Sequence, residues 1–141
     1  MGDGISARCD AIEKCYEFML AYAGQGLAGD EGSASSGQVR DYLERAAEAI
    51  SGLPEAYAAV AVRQGKSGAP EPYRAFLAVL ERDARDSLAA IQLVLAQKSI
   101  SSQLIDNLNA SIHLRALLTD LFLIDEILKS QQPQEKPATA E

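Results

Sequence analysis

YRAFLAVLERDARDSLAAIQLVL, residues 73–95, places apolar side chains at Tyr73, Phe76, Leu77, Leu80, Ala84, Leu88, Ile91, Val94 and Leu95. Those intervals follow the 3.6-residue turn of a helix and gather on one face. The opposite face sets Glu81 four residues before Arg85 and Arg82 four before Asp86, the ordinary pattern of a solvated helix surface. A helix of this length that is apolar on one side must bury that side against other helices. The rest of the chain supplies them.

Upstream, Ile5, Cys9, Ile12, Tyr16, Met19 and Ala23 alternate steps of four and three, a seam for knobs-into-holes packing. A second row, Ala11, Cys15, Phe18 and Tyr22, lies about 100° round the same helix, so this first helix is covered on two sides. The hydroxyls of Tyr16 and Tyr22 then need hydrogen-bond partners inside the packing. Charged side chains mostly share one narrow arc, Asp10, Glu13, Lys14 and Glu17, and its three acids read as a solvated ridge.

Val39, Tyr42, Leu43, Ala46 and Ile50 mark a second helix, opened by a capping box of Ser35 and Gln38. Gly52-Leu53-Pro54 breaks it, with Pro54 in a first turn where its missing N–H costs nothing. A further segment carries Tyr57, Val60 and Ala61 to a stop at Gly65. The connectors LAGDEGSASSG (27–37) and KSGAP (66–70) are rich in Gly, Ser and Pro, and the first is expected to be mobile unless something orders it. A polar turn, KSISS (98–102), with a Ser as N-cap, starts the last helix, which runs to about Lys129. The expected fold is all-α and four-helix-bundle-like, in five helical segments, with the second bundle helix broken at Gly52-Leu53-Pro54. Residues 1–130 form one domain, and QQPQEKPATAE (131–141), poor in apolar residues, is a disordered C-terminal tail.

The last helix departs from simple bundle design. In its first half Leu104, Ile105, Leu108 and Ile112 form the apolar side, while Asp106, Asn109 and His113 point away. Its second half carries a dense stripe of Leu114, Leu117, Leu118, Leu121, Ile124 and Leu128, nearly half a turn round the axis. One straight helix cannot turn both faces to one core. Either it kinks near Asn109–His113, or the second stripe packs on something else. The second alternative makes those six residues the candidate interface for a partner or a second copy.

The remaining chemistry is sparse. A di-iron bundle needs two Glu-x-x-His pairs, and the chain has one His, His113, preceded three residues earlier by Ala110. Close Cys and His pairs for zinc are absent, so no metal site and no cofactor is expected. Cys9 and Cys15, six apart on one helix, are separated by about 9 Å along its axis and cannot pair. They read as free thiols of a reducing cytoplasm. No Gly-rich phosphate cradle or nucleophile elbow occurs, and no catalytic residue can be named, which leaves enzymatic activity open but disfavoured.

A net charge of −7 with scattered basic residues argues against nucleic acid, and no run approaches the ~18–20 apolar residues of a membrane span. The opening Met1-Gly2-Asp3-Gly4-Ile5 lacks the basic and apolar regions of a secretory signal. The leading expectation is a cytoplasmic, non-catalytic binding protein: an adaptor, an assembly or export chaperone, or a regulator. It would hold a partner polypeptide, or a second copy, through apolar helical surface. The alternative is a small-molecule or cofactor-binding bundle, in which Tyr16, Tyr22, Tyr42 and His113 line an internal pocket.

Overall fold

The computed structural model describes residues 2–29, 36–65 and 71–130. They form six α-helices, with no strand among them: α1 (Gly2–Ala23), α2 (Ser36–Ser51), α3 (Leu53–Gly65), α4 (Glu71–Leu95), α5 (Ser102–Ala110) and α6 (His113–Ser130). The fold is all-α, and the helices pack on one another as in a bundle. α1 packs most extensively on α2, and α4 packs on both α2 and α6. The expected tail at 131–141, the Ser35 cap, the 66–70 connector and most of the 27–37 connector lie outside the described residues.

The core follows the sequence stripes closely. Ile12, Cys15, Met19 and Tyr22 of α1 meet Val39, Leu43, Ala46 and Ile50 of α2, and Leu80, Ala84, Ile91 and Val94 of α4 close over them. Each large aliphatic side chain so buried contributes about 1.5–3 kcal/mol by transfer. The solvated face of α4 carries the expected Glu81–Arg85 pair at 3.0 Å.

Two breaks shape the bundle. Between α2 and α3, Arg8 reaches from α1 and its guanidinium donates to the carbonyls of Ala49 (2.9 Å) and Glu48 (3.4 Å). Those are acceptors that the end of a helix leaves without an internal partner. Gly52 lies in the bend directly under Arg8, and a Cβ there would come within 2.9 Å of the same guanidinium, which would have to shift. A second arginine does the same for α4. Arg40 donates to the carbonyls of Leu95 (3.1 Å), Gln97 (2.6 Å) and Lys98 (3.0 Å).

The second break divides what reads in sequence as one last helix. Ser101 caps the start of α5, accepting from the Leu104 N–H at 3.0 Å, as the polar turn predicts. α5 ends at Ala110, Ser111 caps it, and Ile112 takes φ = 62°, a left-handed backbone that bulky residues avoid. The Ile112 carbonyl then accepts from the Ala116 N–H at 2.8 Å and opens α6. Six helical segments therefore replace the five expected, and Ile112 is exposed rather than part of the first-half apolar side.

The α1 terminus is locked to this region by a buried network. Tyr22 donates its hydroxyl to the Ile100 carbonyl at 2.7 Å. Ser102 Oγ donates to the Tyr22 carbonyl at 2.6 Å and accepts from the Leu27 N–H at 2.9 Å. Leu27, at the head of the connector expected to be mobile, is thereby tied down on both its backbone groups, since its carbonyl also accepts from the Ser102 N–H. No helix among the described residues is long and apolar enough to cross a membrane.

Candidate functional site

α1 and α6 meet along one edge of the bundle, and two grooves open between them. The larger, about 350 Å³, is floored by Ile5, Tyr57, Val60 and Leu128 and edged by Asp10, Glu13, Asp125 and Lys129. Three polar side chains from three helices join on its wall. Tyr57 of α3 is almost wholly buried, and its hydroxyl donates to Asp125 Oδ1 of α6 at 3.3 Å. The Cys9 thiol of α1 lies 3.6 Å from the same hydroxyl. A carboxylate can only accept, so the phenolic proton goes to Asp125 and the thiol proton is free to point at the phenolic oxygen.

Burial pushes the Cys9 thiol up, against the hydrogen bond with Tyr57, and the carboxylates of Asp125, Glu13 and Asp10 push it the same way. Burial also raises Tyr57, with Cys9 and Asp125 adding to the effect. Both groups are protonated at neutral pH. A thiol in that state is a poor nucleophile, and the carboxylate of the cluster, Asp125, is engaged by the Tyr57 hydroxyl rather than by the thiol. What the three residues can do is hold the Asp125 carboxylate at the groove edge. Cys15 sits wholly inside the core, where burial pushes it up to about 12, and both cysteines are free.

The second groove continues along the same seam, lined by Glu13, Tyr16, Glu17, Arg115, Leu118 and Phe122. Beside it, the outer side of α6 presents Phe122, Leu123 and Ile127 at 55%, 51% and 36% exposure.

The candidate interface read from the sequence is placed elsewhere. Leu114, Leu117, Leu118, Leu121, Ile124 and Leu128 are all buried within the chain. The physical reason is the left-handed turn at Ile112, which re-aims α6 so that its stripe joins the common core. Of the two alternatives, the kink is the one the structure shows. The apolar surface that α6 offers outward is Phe122, Leu123 and Ile127, three residues that the dense leucine stripe overshadowed. They could have been found as the apolar residues left over once that stripe was assigned to the core.

The four-residue pocket is likewise not assembled. Tyr22 is in the core on the Ile100 carbonyl, and Tyr16 lines the α1–α6 seam. Tyr42 stacks on Phe18 at 4.5 Å under the Arg45 guanidinium, on another side of α1. His113 is exposed, and its backbone carbonyl accepts from Ser87 Oγ at 2.9 Å. Among the described residues no group of three or more His, Cys, Asp or Glu is placed to hold a metal.

One further polar feature lies between α4 and α6. Asp120 stands against Asp83, and burial first, then that neighbour, raises its carboxyl to about 7. Its Oδ2 is sealed from solvent with no hydrogen-bond partner. No known protein family, curated protein or solved structure matches the chain.

Proposed function

We propose that this chain is a cytoplasmic, non-catalytic binding protein on a four-helix-bundle-like frame. It holds a partner polypeptide through apolar helical surface, as an adaptor, an assembly chaperone or a regulator does. The observation that carries the reading is the outward set of Phe122, Leu123 and Ile127 on α6. Single exposed apolar residues are ordinary on a soluble protein, but three within two turns of one helix, beside a groove, mark an association surface. The chemistry of the seam supports the same view, since its thiol and phenol are held protonated and act as structural donors.

The test is a triple variant, Phe122→Ser with Leu123→Ser and Ile127→Ser. All three side chains lie outside the core, so the variant should keep its helical circular dichroism and cooperative unfolding. Purified from its native host, the wild-type chain should carry a stoichiometric polypeptide, or a second copy, by light scattering coupled to size exclusion. The variant should carry none. A folded variant that retains the same complex would end this reading.

A further inference from the structure

The two α1–α6 grooves adjoin at Glu13, which lines both, and together they make a furrow that follows the seam of the helices. The helices run antiparallel there, with Ile5 beside Leu128, Cys9 beside Asp125, and Tyr16 beside Leu118 and Phe122. From Ile5 to Glu17 the furrow follows α1 for about 18 Å at 1.5 Å per residue, the length of roughly three turns of a docked helix.

Its lining has a definite order. Asp10, Glu13 and Glu17 recur at three- and four-residue steps along the α1 rim, and Asp125 faces them from α6, held by the Tyr57 hydroxyl. The two cations of the lining are confined to the ends, Lys129 beside Ile5 and Arg115 beside Glu17. Between those ends the α1 wall is negative and Asp125 is the acid of the α6 wall. The apolar lining is Val60 and Leu128 in one half, and buried Leu118 with half-exposed Phe122 at the rim in the other.

That order selects the occupant. The chain's own remaining segments do not fit: DEGSAS (30–35), KSGAP (66–70) and QQPQEKPATAE (131–141) contain no large aliphatic and no aromatic residue to set on the floor. A second copy placed furrow to furrow would bring Asp10, Glu13 and Glu17 against their own equivalents, a like-charge contact that selects against pairing. A helix with one apolar stripe, and with Lys or Arg at three- and four-residue steps beside it, meets the apolar residues and the four carboxylates between the ends with their complements, leaving Lys129 and Arg115 outside the contact.

We propose that the α1–α6 furrow is the docking groove for a basic amphipathic helix of a partner polypeptide, its apolar side on Leu118 and Phe122 and its cations along Asp10, Glu13 and Glu17. This rests on the polypeptide-binding reading above and gives that partner its chemistry. Long-range attraction between the acidic rim and such a helix speeds encounter, and the apolar floor sets the lifetime.

The experiment uses the full chain and three fluorescein-labelled synthetic peptides of equal length, followed by anisotropy at low and moderate salt. The first has a leucine stripe with lysine at the polar positions. The second replaces each lysine by glutamate. The third scrambles the first so that the stripe is lost. The lysine-stripe peptide should bind at least about tenfold tighter than both others, and more weakly as salt rises. Asp10→Asn with Glu13→Gln and Glu17→Gln should weaken it by about tenfold and flatten the salt dependence, because three rim charges are removed. Phe122→Ser should weaken it too, whereas Leu93→Ser, at an exposed leucine of α4, should not.

Lysine-stripe binding that ignores the triple substitution in a folded protein overturns the proposal. If the glutamate-stripe peptide binds as tightly and Phe122→Ser weakens both, the basic partner falls while the polypeptide-binding reading stands. If neither stripe peptide binds, or Phe122→Ser changes nothing, the furrow is not a docking groove. The polypeptide-binding reading then rests on the outcome of the triple α6 variant alone.

Discussion

Ile112 shows how a single residue decides which face a helix buries. Its backbone is left-handed at φ = 62°, a conformation that costs an L-residue with a branched side chain about 1–2 kcal/mol. The side chain is 54% exposed, so its packing returns little of that cost. The turn is held by its surroundings: Ser111 closes α5 through its N–H on the Asn107 carbonyl at 3.0 Å, and the Ile112 N–H bonds the Asn109 carbonyl at 3.1 Å. Replacing Ile112 with glycine, the residue that helices favour at this position, should therefore raise stability by about 0.5–1 kcal/mol. A urea unfolding midpoint that rises for Ile112→Gly and stays put for Ile112→Val is the expected result. A fall for the glycine variant would mean that the exposed side chain packs better than its burial indicates. The sequence contains no sign of this turn beyond the conflict between two apolar faces, because isoleucine is among the last residues one would place in a left-handed position.

At the scale of the helix, termini are satisfied from a distance. The last carbonyls of α2 are met by Arg8 of α1, and those at the end of α4 by Arg40 of α2. Positive charge at a helix C-terminus also complements its dipole. Arg40→Met keeps much of the aliphatic stem and removes three donated hydrogen bonds, so it should cost about 1–2 kcal/mol. Hydrogen exchange should quicken in the turn after α4 in the same variant. Arg45→Met is the matched control. Its exposed contacts, with Asp41 at 3.3 Å and over the Tyr42 ring at 5.9 Å, are each of the kind worth less than about 1 kcal/mol. Their loss should cost less than that of Arg40 and leave exchange in the turn after α4 unchanged. The helices themselves were legible: the stripes of α1, α2 and α4, the break at Gly52-Leu53-Pro54 and the serine cap of α5 all follow from spacing and from turn residues. The trans caps were not legible. Arg8 and Ala49 are 41 residues apart, and nothing in local pattern pairs a surface arginine with one particular carbonyl.

At the scale of the whole molecule, sequence spacing told which residues are apolar but not how the last helix is aimed. That aim separates a core from an interface. The α1–α6 seam, with Cys9, Tyr57 and Asp125 drawn from three helices, exists only once the bundle is assembled, so only its α1 half, the Asp10, Glu13 and Glu17 ridge, could be seen beforehand. The α4–α6 contact carries a second consequence of assembly. Asp120 has an ordinary value of 3.8 when unfolded and about 7 when folded, because burial and the neighbouring Asp83 both disfavour its charge. Between those values the folded protein binds more protons than the unfolded chain, so stability falls as pH rises. The contribution is fully present below about pH 4 and is lost as pH climbs through 7. The side chain is only partly buried, and solvent screening reduces the effect to about 1–2 kcal/mol. Urea midpoints measured from pH 5 to pH 8 should therefore decline for the wild type. In Asp120→Asn that part of the decline should vanish, and at pH 8 the variant should be the more stable of the two, since a neutral amide can donate to Asp83 where a second carboxylate repels it. If wild type and variant trace parallel curves over that range, Asp120 is ionised in the folded protein throughout, and α4 and α6 accommodate its charge without penalty.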